Sequence, residues 1–112
     1  METEKFLDAA KKLEKKKKGK EQELEKLQKF FERFHLLNRN YLDKETYEEA
    51  QGSISAVADA MVNTIRYLDD EIARLRSKRI KLPFENVELA EMQKVQARNA
   101  VLLSEYLAGH EE

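Results

Sequence analysis

The chain has 112 residues, no cysteine and a formal net charge of −1, and 41% of its residues are hydrophobic while 38% are charged. This length predicts one domain, and the high charged fraction favours elongated helices with solvated faces over a spherical core. The absence of cysteine excludes disulfides and thiolate zinc sites, and the near-neutral charge disfavours attachment to nucleic acid or membrane by overall charge alone.

Neither a signal peptide nor a membrane-spanning helix is indicated, because no apolar run of either kind occurs in the sequence. We therefore expect a cytoplasmic protein without membrane association. The sequence has only three glycines and one proline, which are few of the turn-forming residues that sheets and tight turns require. An all-α fold is predicted.

The first predicted helix covers about residues 3–38 and carries an apolar ladder with alternating steps of four and three residues. The ladder contains Phe6, Ala10, Leu13, Leu24, Leu27, Phe31 and Phe34, with Lys17 and Lys20 occupying two of its positions. The lysine run around Gly19 weakens a helix through like-charge repulsion and glycine flexibility. Because the ladder keeps its phase on both sides of this run, we expect one continuous helix.

The second predicted helix covers about residues 43–81, with Asp43 as its N-cap and Gly52–Ser53 as the place for a kink or for a restart capped by Ser53. Its apolar ladder contains Ile54, Ala58, Met61, Ile65, Leu68, Ile72 and Leu75. A turn near residues 41–43 pairs Phe31 with Ile54 and Leu13 with Ile72. The two helices are thus predicted to form a long antiparallel hairpin with coiled-coil-like packing.

The third predicted helix covers about residues 86–108, after Pro83 and before a tail at 109–112. Folded back on the second helix, it places Met92 near Leu75 and Asn99 near Leu68. This arrangement is a three-helix bundle. A helix of about 33 Å does not cover a hairpin of about 50 Å, so one end of the hairpin is expected to stay uncovered.

Aromatic residues concentrate at this uncovered end and fall on two sides of the first helix. A single helix–helix contact does not bury both sides. We therefore predict a second burial surface and favour a homodimer, with a different protein partner, a higher oligomer or local wrapping at Gly52 as alternatives. The residues predicted at this interface are Phe30, Phe31, Phe34, Leu37, Tyr41 and Tyr47.

A basic patch is the alternative binding surface, because the same register brings the lysines of the first helix beside the arginines that end the second. Its predicted members are Lys11, Lys12, Lys15, Lys16, Arg74, Arg76 and Arg79. Such a cluster would suit an accessory nucleic-acid-binding protein. No aromatic residues are interleaved for stacking on bases, so a solvated charged face is the simpler interpretation.

Catalytic and metal motifs are weak in this sequence. Glu32 and His35 have the spacing of one half of a di-iron site, which a dimer would supply twice, but they lie beside the apolar ladder rather than on it. Glu45 and Glu48 have the spacing of half a magnesium site, and no second half follows. We expect no enzymatic activity, no metal site and no cofactor. The predicted function is a non-enzymatic helical protein–protein interaction module of adaptor, regulator or inhibitor type that acts as a homo-oligomer on an unidentified protein.

Overall fold

A computed structural model describes residues 2–16 and 18–109, and Lys17 and the predicted tail residues 110–112 lie outside this range. The described residues form five helices and contain no strand, which confirms the all-α prediction. The helices are α1 (Glu2–Lys15), α2 (Lys20–Leu37), α3 (Lys44–Ala50), α4 (Ile54–Ser77) and α5 (Pro83–Ala108). They pack helix on helix within 54 × 28 × 16 Å.

Helices α4 and α5, the two longest helices, form an antiparallel pair. Near its middle, the Gln96 side-chain amide donates to the carbonyl of Ile65 at 2.8 Å and to Asp69 at 2.6 Å. At its end, Lys78 contacts Glu85 across the connecting loop. Leu68, Leu75, Met92 and Val95 share one buried cluster between the two helices. The antiparallel direction of this packing agrees with the prediction for the third helix.

The predicted continuous first helix is wrong, because the chain breaks between α1 and α2. Gly19 adopts a left-handed backbone with φ 75°, which glycine reaches without a steric cost. Lys20 closes the break by donating to the carbonyl of Glu14 at 3.1 Å and pairing with its carboxylate at 3.3 Å. The lysine run and glycine, which weaken a helix, here end one.

Helix α1 runs antiparallel to α4 in a register different from the predicted one. The carboxylate of Glu14 accepts a hydrogen bond from the Ser55 backbone amide at 3.0 Å, while Thr3 lines a cavity together with Ile65. The C-terminal end of α1 therefore lies at the beginning of α4. The predicted pairing of Leu13 with Ile72 is wrong.

Helix α2 runs antiparallel to α5 and hence parallel to α4. Arg33 pairs with Glu105 at 3.3 Å, and the side chains of Asn38 and Asn99 are hydrogen bonded at 2.8 Å. Since α1 is antiparallel to α4 and α2 is parallel to it, the chain reverses direction between α1 and α2. The predicted two-helix hairpin of residues 3–38 and 43–81 does not form.

The predicted second helix is also divided, at the position where the sequence favoured a restart. Asp43 accepts a hydrogen bond from the amide of Thr46 at 2.7 Å and caps α3, as predicted. Gly52 has φ 89°, and Ser53 caps α4 by accepting from the amide of Ala56 at 3.3 Å. These two caps allow the short α3 to fold back against α4.

Helix α4 ends at Ser77 rather than at residue 81, and α5 begins at Pro83 rather than at Asn86. Proline suits the first position of a helix because its missing amide hydrogen is not needed there. Glu85 accepts a hydrogen bond from the amide of Leu82 at 3.0 Å and so fastens the start of α5. Residues 78–82 form the loop between the two helices.

The core divides the molecule into two regions. The body consists of α1, α2 and α3 together with the parts of α4 and α5 that they cover, and it buries most of the apolar side chains. The hairpin end, which we define as residues 71–92, consists of the last turns of α4, the loop and the first turns of α5. Within the described residues, the α2–α3 turn touches it through Tyr41, and beyond that contact α4 and α5 cover only each other.

Candidate functional site

The six residues predicted at an aromatic interface do not form an exposed surface. Phe30, Phe31 and Phe34 are buried in the body. The ring of Phe31 lies 4.8 Å from that of Tyr47, and the ring of Phe30 lies 5.0 Å from that of Tyr106. Helix α3 and the C-terminal half of α5 supply the cover that the predicted three-helix arrangement lacked. The expectation that this end stays uncovered is therefore wrong.

The other predicted interface residues, Leu37, Tyr41 and Tyr47, are half-buried against the core. Tyr47 also stacks on His35, with the rings 4.1 Å apart. Only Tyr41 reaches the surface described below. No single face of the molecule thus unites the predicted set.

The predicted basic patch is not assembled either. The C-terminal end of α1, with its lysines, lies beside Ser55, whereas Arg74 lies 19 residues further along α4, about 28 Å away. The members near α1 are Lys11, Lys12, Lys15 and Lys16; those at the hairpin end are Arg74, Arg76 and Arg79. The wrong register of α1 is the reason, since it had placed these groups side by side.

Large apolar side chains are exposed mainly at the hairpin end and along the groove beside it. Among the described residues, seven large hydrophobic side chains are exposed, and five of them lie here: Tyr67, Ile80, Leu82, Phe84 and Val87. The exposed fraction is 86% for Ile80, 72% for Val87 and 63% for Phe84. The remaining two, Leu36 and Val101, lie apart on α2 and α5.

An open groove of about 570 Å³ runs along the hairpin end and is apolar at its floor and acidic at its rim. Its residues come from three segments: the α2–α3 turn, α4 and the first half of α5. They are Asn40, Tyr41, Tyr67, Phe84, Val87, Glu88, Glu91 and Met92. Phe84, Val87, Glu88 and Glu91 recur at helical spacings of three and four and so form one stripe along α5.

The charge of the groove is negative near Tyr41. Burial raises the pKa of the Tyr41 hydroxyl above its ordinary value, and the nearby carboxylates of Glu91 and Glu88 raise it further. A negative field at a half-buried aromatic floor favours a bound group that is apolar and positively charged.

The turn that carries Tyr41 into the groove is held by a buried pair of amides. Asn38 and Asn99 exchange two side-chain hydrogen bonds, of 2.8 and 3.0 Å, and are 0% and 1% exposed. The carbonyl of Asn38 accepts from the amides of Tyr41 at 2.9 Å and Leu42 at 2.8 Å. Sequence reasoning missed this pair, although Asn99 stood as a polar residue on the predicted inner face of the third helix.

The loop at the hairpin end is shaped by Glu85. This side chain is 7% exposed, accepts from the amide of Leu82 and contacts the Lys78 ammonium. The Lys78 contact, followed by the Leu82 amide, holds the pKa of the Glu85 carboxyl below its ordinary value. The capped loop leaves Ile80 in solvent rather than folding it onto the groove of its own chain.

Three comparisons with known proteins give no match: no protein-family model, no curated protein and no solved structure matches the chain. In the described part of the chain, no helix is both long enough and apolar enough to cross a membrane. Residues 2–16 and 18–109 contain no group of three or more His, Asp or Glu side chains arranged to hold a metal ion. Chemically, the groove offers apolar contact and negative charge.

Proposed function

We propose that this protein is a non-enzymatic helical interaction module that binds a protein segment through the groove at its hairpin end. The bound segment carries apolar side chains together with lysine or arginine. The apolar groups fill the floor beside Tyr41, Tyr67 and Met92, and the cations face Glu88 and Glu91 at the rim.

The observation that carries this proposal is the placement of the exposed apolar side chains. Single exposed hydrophobic residues are ordinary on protein surfaces, whereas a contiguous group beside a groove is typical of a binding site. At the hairpin end, Phe84 and Val87 lie on the same stripe of α5 as Glu88 and Glu91, and all four line the groove. Such a stripe adds little to the stability of the monomer, because it contacts little of the chain that carries it.

The chemistry of the partner follows from the charges. The acids of the rim favour a cationic segment and disfavour nucleic acid, whose phosphates they repel. The predicted nucleic-acid surface is divided between two ends of α4, and within it Arg74 is occupied by Glu71 at 2.7 Å. A protein segment is therefore favoured over nucleic acid.

Site-specific photo-crosslinking tests the proposal. Phe84 is replaced by p-benzoylphenylalanine, which keeps an aromatic ring at the position, and the protein is irradiated in the cells that make it. We expect a covalent adduct to a protein. The matched control carries the same group at Val101, which is exposed on the same helix but away from the groove.

The yield of adduct at position 84 relative to position 101 decides the result. A strong adduct at 84 that disappears when Glu88 and Glu91 are both changed to lysine supports the proposal. Equal, background-level labelling at 84 and 101 would contradict it.

A further inference from the structure

We propose that the segment bound in the groove is the hairpin end of a second copy of this chain, so that two copies form a twofold-symmetric dimer through α5. This inference rests on the proposed function and names the partner for that same site.

The hairpin end itself has the chemistry that the groove requires. Its loop presents Ile80 and Leu82 to solvent, with Arg79 and Lys81 as their neighbours in sequence. Residues 72–81 carry five basic residues and no acidic one. Within a single copy, Lys78 pairs with Glu85 and Arg74 with Glu71. An apolar loop that carries Arg79 and Lys81 and an apolar groove that carries Glu88 and Glu91 thus lie next to each other on one hairpin.

Twofold symmetry brings these two features together. In an isologous dimer every contact occurs twice, so a surface must carry both members of each interacting pair. With the α5 helices antiparallel and the axis near Asn86, Phe84 of each copy packs on Val87 of the other. Lys81 of each copy then faces Glu91 of the other, and Leu82 reaches Tyr41 at the end of the groove.

The positions in sequence agree with this pairing. Lys81, in the loop, and Glu91, on α5, are ten residues apart in sequence, five on each side of Asn86. Phe84 and Val87 also lie on either side of this position, which places the axis at this level of α5. The dimer places cationic loops on anionic rims twice, and the net charge of −1 means that two copies do not repel each other as whole molecules.

The first experiment measures the mass of the purified full chain by sedimentation equilibrium over a wide range of protein concentration. We expect a reversible monomer–dimer equilibrium that weakens at least tenfold in Val87→Glu, because the new carboxylate lies against the apolar ring of Phe84 of the other copy and beside Glu88 and Glu91 of its own chain. Val101→Glu is the matched control and leaves the dissociation constant unchanged. A wild-type chain that stays monomeric at millimolar concentration would overturn the proposal.

The second experiment exchanges charges across the proposed pair. Glu91→Lys and Lys81→Glu each set like charges against each other twice in their own dimers, and each is expected to weaken association about tenfold. In an equimolar mixture of the two variants, both pairs are again opposite in charge, so a mixed dimer of near wild-type affinity is expected. If the mixture associates no better than the separate variants, the register proposed here is wrong.

The two proposals fail in different ways. An adduct at position 84 to a protein of a different mass, combined with a monomeric purified chain, leaves the interaction module in place and removes the second copy as its partner. Circular dichroism of each variant checks that the helices are retained; the substituted side chains Val87 and Glu91 are exposed.

Discussion

The body and the hairpin end share the same two helices, but other segments cover those helices only in the body. In the body, α1, α2 and α3 pack around α4 and α5, and Phe6, Phe31 and Phe34 are fully buried. At the hairpin end, α4 and α5 cover one face of each other and leave Phe84 and Val87 in solvent. Composition is similar in the two regions. The regions differ in whether other helices pack over α4 and α5. Residues that are packed over stabilise the fold, and residues that are not are available for binding.

The largest expected effect compares a phenylalanine from each region. Phe34 is fully buried, whereas Phe84 is mostly exposed. Phe34→Ala is expected to lower the free energy of unfolding by about 3–5 kcal/mol, because it leaves a cavity in a packed core. Phe84→Ala is expected to change it by less than about 0.5 kcal/mol when the chain is monomeric. Urea titrations followed by circular dichroism at low protein concentration measure both values.

Equal losses of stability in these two variants would contradict the division into body and hairpin end. A small loss in Phe34→Ala would place that side chain on a surface, which would restore the originally predicted aromatic interface. A large loss in Phe84→Ala would mean that the hairpin end is covered by its own chain.

The next effect concerns the buried amides that join the body to the groove. Asn99→Leu leaves the Asn38 side-chain oxygen without its donor, and we expect a loss of about 1–3 kcal/mol in the free energy of unfolding. The same change at Asn63, which is exposed on α4, is the control. In a double-mutant cycle with Asn38→Leu, the double variant should be less destabilised than the sum of the single changes. Additive losses would show that the pair is not coupled.

The sequence predicted the helical class and several helix boundaries but not the path of the chain. Asp43 and Ser53 were identified as caps because a short polar side chain before a helical segment has a local, one-turn effect. The pairing of the first helix failed for a non-local reason. An apolar ladder with steps of three and four presents similar apolar positions in several registers. The pattern therefore did not distinguish the pairing of Leu13 with Ile72 from the observed placement of the end of α1 beside Ser55.

The candidate site was missed for the same reason. Once the first helix was taken as continuous, no other helix packed over its aromatic residues. These residues were therefore predicted to form an interface. The reversal at Gly19 brings α2 against α5, buries Phe31 and Phe34, and leaves the other end of the α4–α5 pair bare. Ile80, Leu82, Phe84 and Val87 were visible in the sequence as apolar residues around Pro83, outside both ladders.

The reversal itself gives a third prediction. Gly19→Ala places a side chain on a left-handed backbone where nothing lies within 4 Å of the new Cβ, so conformation alone sets the cost. We expect a loss of about 1–2 kcal/mol in the free energy of unfolding. Gly109→Ala is the control, because Gly109 has a right-handed helical backbone and the new Cβ would make an ordinary 3.5 Å contact. A stabilised Gly19→Ala variant would instead favour the continuous helix.

The smallest effect is expected at the hairpin end, where Glu85 fastens the loop. Its pKa is lowered in the folded protein, first by Lys78 and then by the Leu82 amide, relative to an ordinary value of 4.5. A group with a depressed folded pKa contributes stability above its unfolded pKa and loses that contribution as the pH falls through the folded value. Wild type should therefore be more stable than Glu85→Gln at neutral pH, and this advantage should shrink as the pH falls below about 4.5.

Urea midpoints of the two proteins at neutral and at acidic pH measure that advantage. Because the other carboxylates titrate in both proteins, their contribution to stability cancels when wild type and Glu85→Gln are compared at the same pH. Lys78→Met is the second variant, and it should lose most of the same acid dependence because the ammonium is the largest cause of the shift. A difference between wild type and Glu85→Gln that stays constant with pH would contradict the Lys78–Glu85 contact. The loop that presents Ile80 would then be held by its backbone alone, unlike the α2–α3 turn, which the Asn38–Asn99 pair holds.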